Sequence, residues 1–118
     1  MTASKRTAKP AGWYPKRGEV CLLALDKERP ALVISSDALN AHSLDMCVVP
    51  ISTVEPKSFS LRPRLKAGEG GLDRDSWVKC DQVTTIEKAR AVYPPLGSLS
   101  KTSLTRVEEA IKRSLDLA

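Results

Sequence analysis

The sequence predicts a mainly β fold with a C-terminal helix, in which a small antiparallel sheet forms a barrel-like shape that the helix closes. Three observations support this class. Short apolar or alternating runs recur along the chain, separated by polar residues, glycine and proline. One stretch near the C-terminus has apolar residues spaced by three and four positions, as on one face of a helix. The strand–helix–strand rhythm of a parallel sheet does not occur.

The predicted strands cover residues 20–25, 31–34, 45–51, 59–62, 77–80 and 83–86. A short polar connection, residues 26–30, joins the first two, and we expect an antiparallel hairpin there. Proline cannot donate to a sheet ladder. We therefore expect Pro30 at the first position of its strand, and a bulge or a sheet edge at Pro50.

Two helices are predicted, one very short and one long. Residues 35–37 can cap a single turn at residues 38–40, and Ser100 can cap the C-terminal helix. The long helix has an apolar stripe, which we interpret as core or dimer packing. Its members are Leu104, Val107, Ile111 and Leu115.

Length and composition indicate one globular domain. We assign residues 12–118 to this domain and residues 1–11, which are small, polar and basic, to a flexible tail. The longest apolar run is far shorter than the ~20 residues that span a bilayer, and the N-terminus lacks an apolar signal core. We therefore expect a cytoplasmic protein without a membrane partner.

The net charge of +5 allows two interpretations. One is a solvated basic surface. The other is a polyanionic partner, since lysine and arginine gain affinity for phosphates by releasing counterions. Aromatic residues make up only 4% of the chain, which argues against stacking many bases of a single strand on rings.

Several kinds of chemistry lack the residues they need. His42 is the single histidine, so catalytic triads and paired-histidine ribonuclease sites have no well-placed base. The cysteines Cys21, Cys47 and Cys80 are far apart and lie among apolar neighbours, and we interpret them as reduced core residues. We expect neither a metal site nor a cofactor.

A set of polar residues remains at predicted strand ends. An arginine there can stabilise charge on phosphate oxygens, an aspartate can accept a 2′-hydroxyl proton, and a hydroxyl can orient a phosphate. Together they would permit metal-free transesterification of RNA. Each also has a structural interpretation, as a surface ion pair, a turn or a loop-end cap. The set comprises Arg29, Ser52, Thr53, Lys79, Asp81 and Gln82.

Six segments, in order, resemble the MazF/PemK (Kid-like) toxins of bacterial type II toxin–antitoxin pairs. The segments are Arg17-Gly18-Glu19-Val20, Arg29-Pro30-Ala31-Leu32-Val33-Ile34-Ser35, Asp37-Ala38-Leu39-Asn40, Val48-Val49-Pro50-Ile51-Ser52, Asp75-Ser76-Trp77-Val78-Lys79-Cys80-Asp81-Gln82-Val83-Thr84-Thr85-Ile86 and Leu96-Gly97-Ser98-Leu99-Ser100. The resemblance implies a small SH3-like barrel of the CcdB/MazF type and a homodimer. It also implies metal-independent cleavage of single-stranded RNA, including mRNA, which inhibits translation and growth, and neutralisation by a cognate antitoxin peptide.

The resemblance also assigns roles to individual residues. The arginine of the family's Arg-Pro motif corresponds to Arg29, and the hydroxyl at the end of the third strand corresponds to Ser52. The aspartate that Kid-type members use as a base corresponds to Asp81, and their arginine two residues earlier is Lys79 here. The residues assigned to RNA binding are Lys27, Glu28, Thr53, Lys57 and Gln82.

The chain departs from the family pattern before the Arg-Pro motif. Family members usually carry a longer loop with a Gly-x-Glu-Gln-x-Gly pattern that contacts RNA, whereas only residues 26–28 stand there in this chain. The shortened loop leaves a second hypothesis open, a non-catalytic toxin-fold module that binds RNA, an antitoxin or gyrase.

Overall fold

Seven strands and two helices make up the described part of the chain, residues 8–57 and 61–118 of a computed structural model. The strands are β1 (Glu19–Ala24), β2 (Glu28–Val33), β3 (Asp45–Ser52), β4 (Arg64–Leu65), β5 (Ser76–Val78), β6 (Thr84–Glu87) and β7 (Gly97–Ser98). The helices are α1 (Asp37–His42) and α2 (Lys101–Leu115), and single 3-10 turns lie at Glu69–Gly71 and Lys88–Arg90.

All strand pairings are antiparallel, in the order β4-β5-β3-β2-β1-β7, and β6 pairs with β3 as well. The longest strand, β3, pairs with β2 along one side and with β5 and β6 along the other. The prediction of a mainly β, antiparallel fold with a C-terminal helix is confirmed.

The sheet buries apolar side chains on both faces, because neighbouring residues of a strand point to opposite sides. Leu32, Val49 and Val78 belong to one apolar cluster, which also contains Val107 of α2. We call this side of the sheet the helix face. Ala31 belongs to a second cluster on the other side, the distal face. The remaining buried members of that cluster are Cys21, Leu23, Val33, Met46, Val48 and Ala91.

Helix α2 begins where Ser100 caps it, as its hydroxyl accepts a hydrogen bond from the Ser103 backbone N–H at 3.2 Å. Val107 is fully buried, and Leu104 and Ile111 pack against the same cluster. Core packing is thus confirmed for three members of the predicted stripe. The fourth, Leu115, is 50% exposed, because it lies on the last turn of the helix.

Between β5 and β6 the register along β3 changes. Ile51 pairs with Val78, so a continuous ladder would bring residue 81 opposite Val48, but Thr84 pairs there instead. Residue 84 thus stands where a continuous ladder would place residue 81, so this strand contains three residues more than its partner β3. A turn at residues 79–82 accommodates them. This bulge lies on the strand opposite Pro50, whose carbonyl oxygen accepts from the Lys79 N–H at 2.8 Å.

The position predicted for Pro30 is wrong. Strand β2 begins at Glu28, and Pro30 is its third residue, paired with Leu22 of β1. Its pairing with β3 starts one residue later, at Ala31. Proline is tolerated here because the strand has a ladder on one side only at this point.

The predicted strand at residues 59–62 is wrong where it can be compared. Leu61 and Arg62 precede a strand rather than form one, and Phe59 and Ser60 lie outside the described residues. Residues 1–7 of the predicted tail also lie outside the described residues. Strand β4 begins after Pro63, whose carbonyl oxygen accepts from the Val78 N–H at 3.0 Å. The short strand β7 is absent from the sequence-based prediction.

The cysteines are free thiols. Burial raises the pKa of Cys21 and of Cys80 to about 12, so both remain protonated, as expected for core residues. Cys47 is half-buried rather than in the core. Neither helix of the described chain has the length and apolar character needed to span a bilayer.

Candidate active site

The predicted site residues converge at one end of the sheet. Arg29 is the second residue of β2, Ser52 is the last residue of β3, and Lys79 directly follows β5. Because β3 runs antiparallel to both neighbours, its last residues meet the first residues of β2. Lys79, just beyond the three-residue β5, lies beside Pro50, two residues from Ser52. The sequence-based placement of these residues at strand ends is confirmed.

The same three side chains lie on one side of the sheet. Cross-strand partners share a face, and so do residues two apart along a strand. Ala31, which lies on the distal face, pairs with Pro50. The carbonyl oxygen of Pro50 in turn accepts a hydrogen bond from the Lys79 N–H, which places Lys79 opposite Pro50. Arg29 and Ser52 are two residues from Ala31 and Pro50, so they also lie on the distal face, away from α2.

Arg29 is half-exposed, and its Nε lies 3.8 Å from Oδ1 of Asp26, which is itself well exposed. A pair this open to water contributes little to stability and leaves most of the guanidinium donors to solvent. The hairpin before it has only three residues between strands, 25–27, consistent with the short loop noted in the sequence. The ion-pair interpretation is thus correct geometrically and does not conflict with binding a phosphate.

The hydroxyl of Ser52 closes a turn at the end of β3, since its oxygen accepts a hydrogen bond from the Val54 N–H at 3.0 Å. Its own proton is still available for donation to a phosphate oxygen. Thr53 lies within this turn, Lys57 follows it, and both are exposed. Lys27 and Glu28 lie at the hairpin beside Arg29, so these two residues and Thr53 border the same end of the sheet.

The bulge after β5 directs its side chains in two directions. Cys80 points beneath α2, where its Sγ lies 3.8 Å from the carbonyl oxygen of Val107. Asp81 and Gln82 are exposed, and the turn is closed by a bond from the Gln82 N–H to the Lys79 carbonyl oxygen at 2.9 Å. The extra residues therefore place Asp81 at the surface beside Lys79, as bulges commonly do for functional side chains.

Asp81 is held by a residue that sequence reasoning missed. Arg62 donates two hydrogen bonds to its carboxylate, from Nε at 2.9 Å and from Nη2 at 3.0 Å. These bonds, together with the charges of Arg62 and Lys79, hold the pKa of Asp81 below its usual range. The carboxylate is ionised at neutral pH, which a proton acceptor requires, but Arg62 also reduces its basicity.

A weak signal for Arg62 exists in the sequence. Arg62 and Arg64 alternate around Pro63, and two cations spaced by two positions point to one side of an extended segment. Their partner strand could not be identified without the register, which pairs Arg64 with Trp77 and thereby brings Arg62 near Lys79. Within residues 8–57 and 61–118, no group of three or more histidine, cysteine, aspartate and glutamate side chains is arranged to hold a metal ion.

Comparison with known proteins identifies relatives over most of the chain. Residues 16–115 match the family described as PemK-like, MazF-like toxin of type II toxin-antitoxin system. The chain is 30% identical over 115 residues to Endoribonuclease MazF9 of Mycobacterium tuberculosis (strain ATCC 25618 / H37Rv), covering 86% of this chain and 97% of that protein. It is also 30% identical over 90 residues to Endoribonuclease EndoA of Bacillus subtilis (strain 168), covering 75% and 77%.

A solved structure has the same fold. An endoribonuclease in complex with its cognate antitoxin, from a mycobacterial species, superposes with a TM-score of 0.77 at 23% identity, covering 88% of this chain and 97% of the other. The antiparallel sheet, the C-terminal helix and the match over residues 16–115 lead to one conclusion: this chain belongs to the PemK-like, MazF-like toxin family of type II toxin–antitoxin systems.

Proposed function

We propose that the protein is the toxin of a type II toxin–antitoxin system and acts as a metal-independent endoribonuclease on single-stranded RNA, including mRNA. The observation that carries the proposal is the convergence of Arg29, Ser52, Lys79 and Asp81 on the distal face at one end of the sheet. Family membership and two endoribonuclease relatives support the same activity.

The proposed reaction is an in-line transesterification within the RNA strand. Asp81 accepts the proton of a 2′-hydroxyl, the 2′-oxygen forms a bond to the adjacent phosphorus, and the bond from phosphorus to the 5′-oxygen breaks. The products are a 2′,3′-cyclic phosphate and a 5′-hydroxyl, whose proton we assign to the Lys79 ammonium group. Arg29 stabilises the charge that accumulates on the phosphate oxygens, and Ser52 orients one of them.

Lys79 gives this site a different phosphate donor from that of relatives with arginine. An ammonium group is a point charge without the planar fork of a guanidinium, so it cannot bind two phosphate oxygens in the same geometry. Arg62 supplies such a fork beside Lys79, although it is bound to Asp81 in this structure. We assign the recognition of phosphates next to the cleaved bond to Lys79 and Arg62 together.

The proposed partners follow from the same family membership. We propose a homodimer that is neutralised in the cytoplasm by a cognate antitoxin peptide, because solved relatives of the same fold include an endoribonuclease bound to its cognate antitoxin. The net charge of +5 suits both an RNA substrate and an acidic peptide.

Cleavage of single-stranded RNA in EDTA, with mapping of the new 5′ ends, tests the activity. Arg29→Ala should lower kcat/KM several hundred-fold, on the order of 3–4 kcal/mol, because it removes a donor to the developing charge. Arg113→Ala is the matched control, since Arg113 is an exposed arginine on α2. Full activity of Arg29→Ala would refute the role assigned to Arg29.

The loop of the hairpin before Arg29 has only three residues, and this short loop favours a second candidate function. A non-catalytic toxin-fold module would leave varied RNAs intact while binding RNA, an antitoxin or gyrase tightly. Inertness towards all RNAs combined with tight binding of one partner would favour that module over the ribonuclease.

A further inference from the structure

Trp77 is a large aromatic residue in the middle of β5 that the proposed reaction does not use. It pairs with Ser52 of β3 on one side and with Arg64 of β4 on the other. Because cross-strand partners share a face, the indole lies on the distal face, between a proposed catalytic hydroxyl and a guanidinium.

The indole has no packing role comparable to that of the other tryptophan. Trp13 packs against the distal cluster and meets the ring of Tyr93 edge-on, with ring centroids 5.1 Å apart. Trp77 belongs to neither apolar cluster of the described chain and is only half-buried. A half-exposed tryptophan beside a proposed catalytic hydroxyl is suited to binding, because its ring combines a large apolar contact area with a polar N–H.

The indole N–H is also unused. Among residues 8–57 and 61–118, no group accepts a hydrogen bond from Nε1 of Trp77, although tryptophan usually finds an acceptor when its ring is covered. The ring therefore offers both an apolar surface and a free donor to a ligand on the distal face.

The charges around the ring match a polyanion. Arg64 is directly beside it. Arg62 lies two residues before Arg64, ahead of β4, and Lys79 lies two residues after Trp77, just beyond β5. Arg64 and Arg62 each pair with a single carboxylate, Asp75 and Asp81. The Arg64 pair is about half-exposed on both sides, whereas the Arg62 side chain is more covered and makes two hydrogen bonds to Asp81. Exposed pairs exchange partners at little cost, so a phosphate can compete for the Arg64 guanidinium.

A ring flanked by cations is the combination that binds single-stranded nucleic acid. Bases stack on aromatic faces while arginine and lysine contact the backbone phosphates on either side. The aromatic content of 4% leaves room for a single base rather than a row of them.

We propose that Trp77 is the stacking platform for one nucleobase next to the cleaved phosphodiester, with Arg64 contacting the phosphate on the β4 side. This inference rests on the proposed ribonuclease function, because the RNA strand that stacks on Trp77 is the strand that the proposed catalytic residues would cleave. One base would be selected by its stacking strength and by the acceptor it presents to the indole N–H.

Binding of a labelled single-stranded RNA that carries 2′-O-methyl groups, and so cannot be cleaved, tests the platform by fluorescence anisotropy. Trp77→Leu should weaken binding about five-fold to one-hundred-fold, the range expected for loss of one base stack. Trp77→Phe keeps a ring and should stay within about threefold of wild type. Leu115→Ala, an exposed apolar position on α2, is the matched control.

Two further measurements separate stacking from a general effect on folding. RNA should quench the tryptophan fluorescence of the wild type, and Trp77→Phe should abolish this quench while still binding RNA. In a series of RNAs with one abasic position each, one position should lose affinity in the wild type but not in Trp77→Leu, since both changes remove the same stack.

The outcomes distinguish this inference from the proposed function. If the wild type neither binds nor cleaves RNA, the proposed function fails. The platform is refuted if the wild type binds RNA and Trp77→Leu binds it equally well. It is also refuted if, at every abasic position, the loss of affinity simply adds to the loss that Trp77→Leu causes. A change in sedimentation from dimer to monomer in Trp77→Leu, without the abasic coupling, would assign the ring to a protein interface and also refute it.

Discussion

The two faces of the sheet have opposite characters although the same strands form both. On the helix face, Leu32, Val49 and Val78 are fully buried beneath α2. On the distal face, the end of the sheet carries Arg29 and Ser52, which are partly open to solvent. Residues that are neighbours in sequence therefore have different tasks, since successive side chains of a strand point to opposite sides.

This difference indicates how a chain of 118 residues combines stability with a reactive surface. The covered face supplies most of the apolar burial, which a domain of this size needs throughout its core. The distal face needs only a small covered region around Met46 and Val48, and leaves the C-terminal end of β3 free for polar groups. Substitutions on the helix face should thus act on folding, and those at the distal site on cleavage.

The largest expected effect is on stability. Leu32→Ala, at a fully buried position of the helix face, should lower the free energy of unfolding by about 2–5 kcal/mol, because it leaves a cavity under α2. Ser52→Ala should lower it by less than about 1 kcal/mol while reducing RNA cleavage. Urea unfolding followed by circular dichroism measures both, and a greater loss for Ser52→Ala would contradict the division between faces.

The next expected effect concerns thiol reactivity on the helix face. Cys47 and Cys80 both lie on this side, but Cys80 is beneath α2 and its thiol has a pKa raised to about 12 by burial. Iodoacetamide should label Cys47 at least about ten-fold faster, since the thiolate is the reactive form. Peptide mapping by mass spectrometry measures the two rates. Equal rates would mean that α2 does not keep the thiol of Cys80 covered.

The smallest expected effect is a shift of pH dependence at the distal face. Arg62→Gln removes the donor that lowers the pKa of Asp81, so this pKa should rise towards its ordinary value. If Asp81 is the base, it must be ionised to act, and the acidic limb of the pH–rate profile should move to higher pH. Profiles of kcat/KM for cleavage measure the shift.

Arg64→Gln is the matched control for this shift, because Arg64 pairs with Asp75 rather than with Asp81. Its acidic limb should keep the wild-type position even if RNA binds more weakly. An unchanged limb in Arg62→Gln would assign the role of base to another group.

Much of the fold could be predicted from the sequence because its signals are local. Alternation and apolar runs located the bounds of β1, β2, β3, β5 and β6 within one or two residues, except for the start of β2, which lies three residues earlier than predicted. The Ser100 cap fixed the start of α2. Pro30 was misplaced because a proline's tolerance depends on which side of the strand is paired. Strand β7 was missed because only two residues form it and its pairing with β1 is remote in sequence.

The residues of the candidate site were likewise predictable from the sequence only in part. Arg29, Ser52 and Asp81 could be proposed from residue types at strand ends and from the family resemblance, and their roles remain predictions. Arg62 could not, because its contact with Asp81 spans 19 positions and depends on the register of β4 with β5.

By itself the sequence determined where β1, β2, β3, β5 and β6 lie, which residue caps α2 and which polar groups lie at the strand ends, since these depend on side-chain period and local hydrogen bonds. Only the tertiary structure decided what those groups face. The pairing of β3 with β2 and β5 gathered them on the distal face, and the bulge opposite Pro50 turned Asp81 outward to Arg62. Register is a property of two strands together, and a one-residue slip would reverse every one of these orientations.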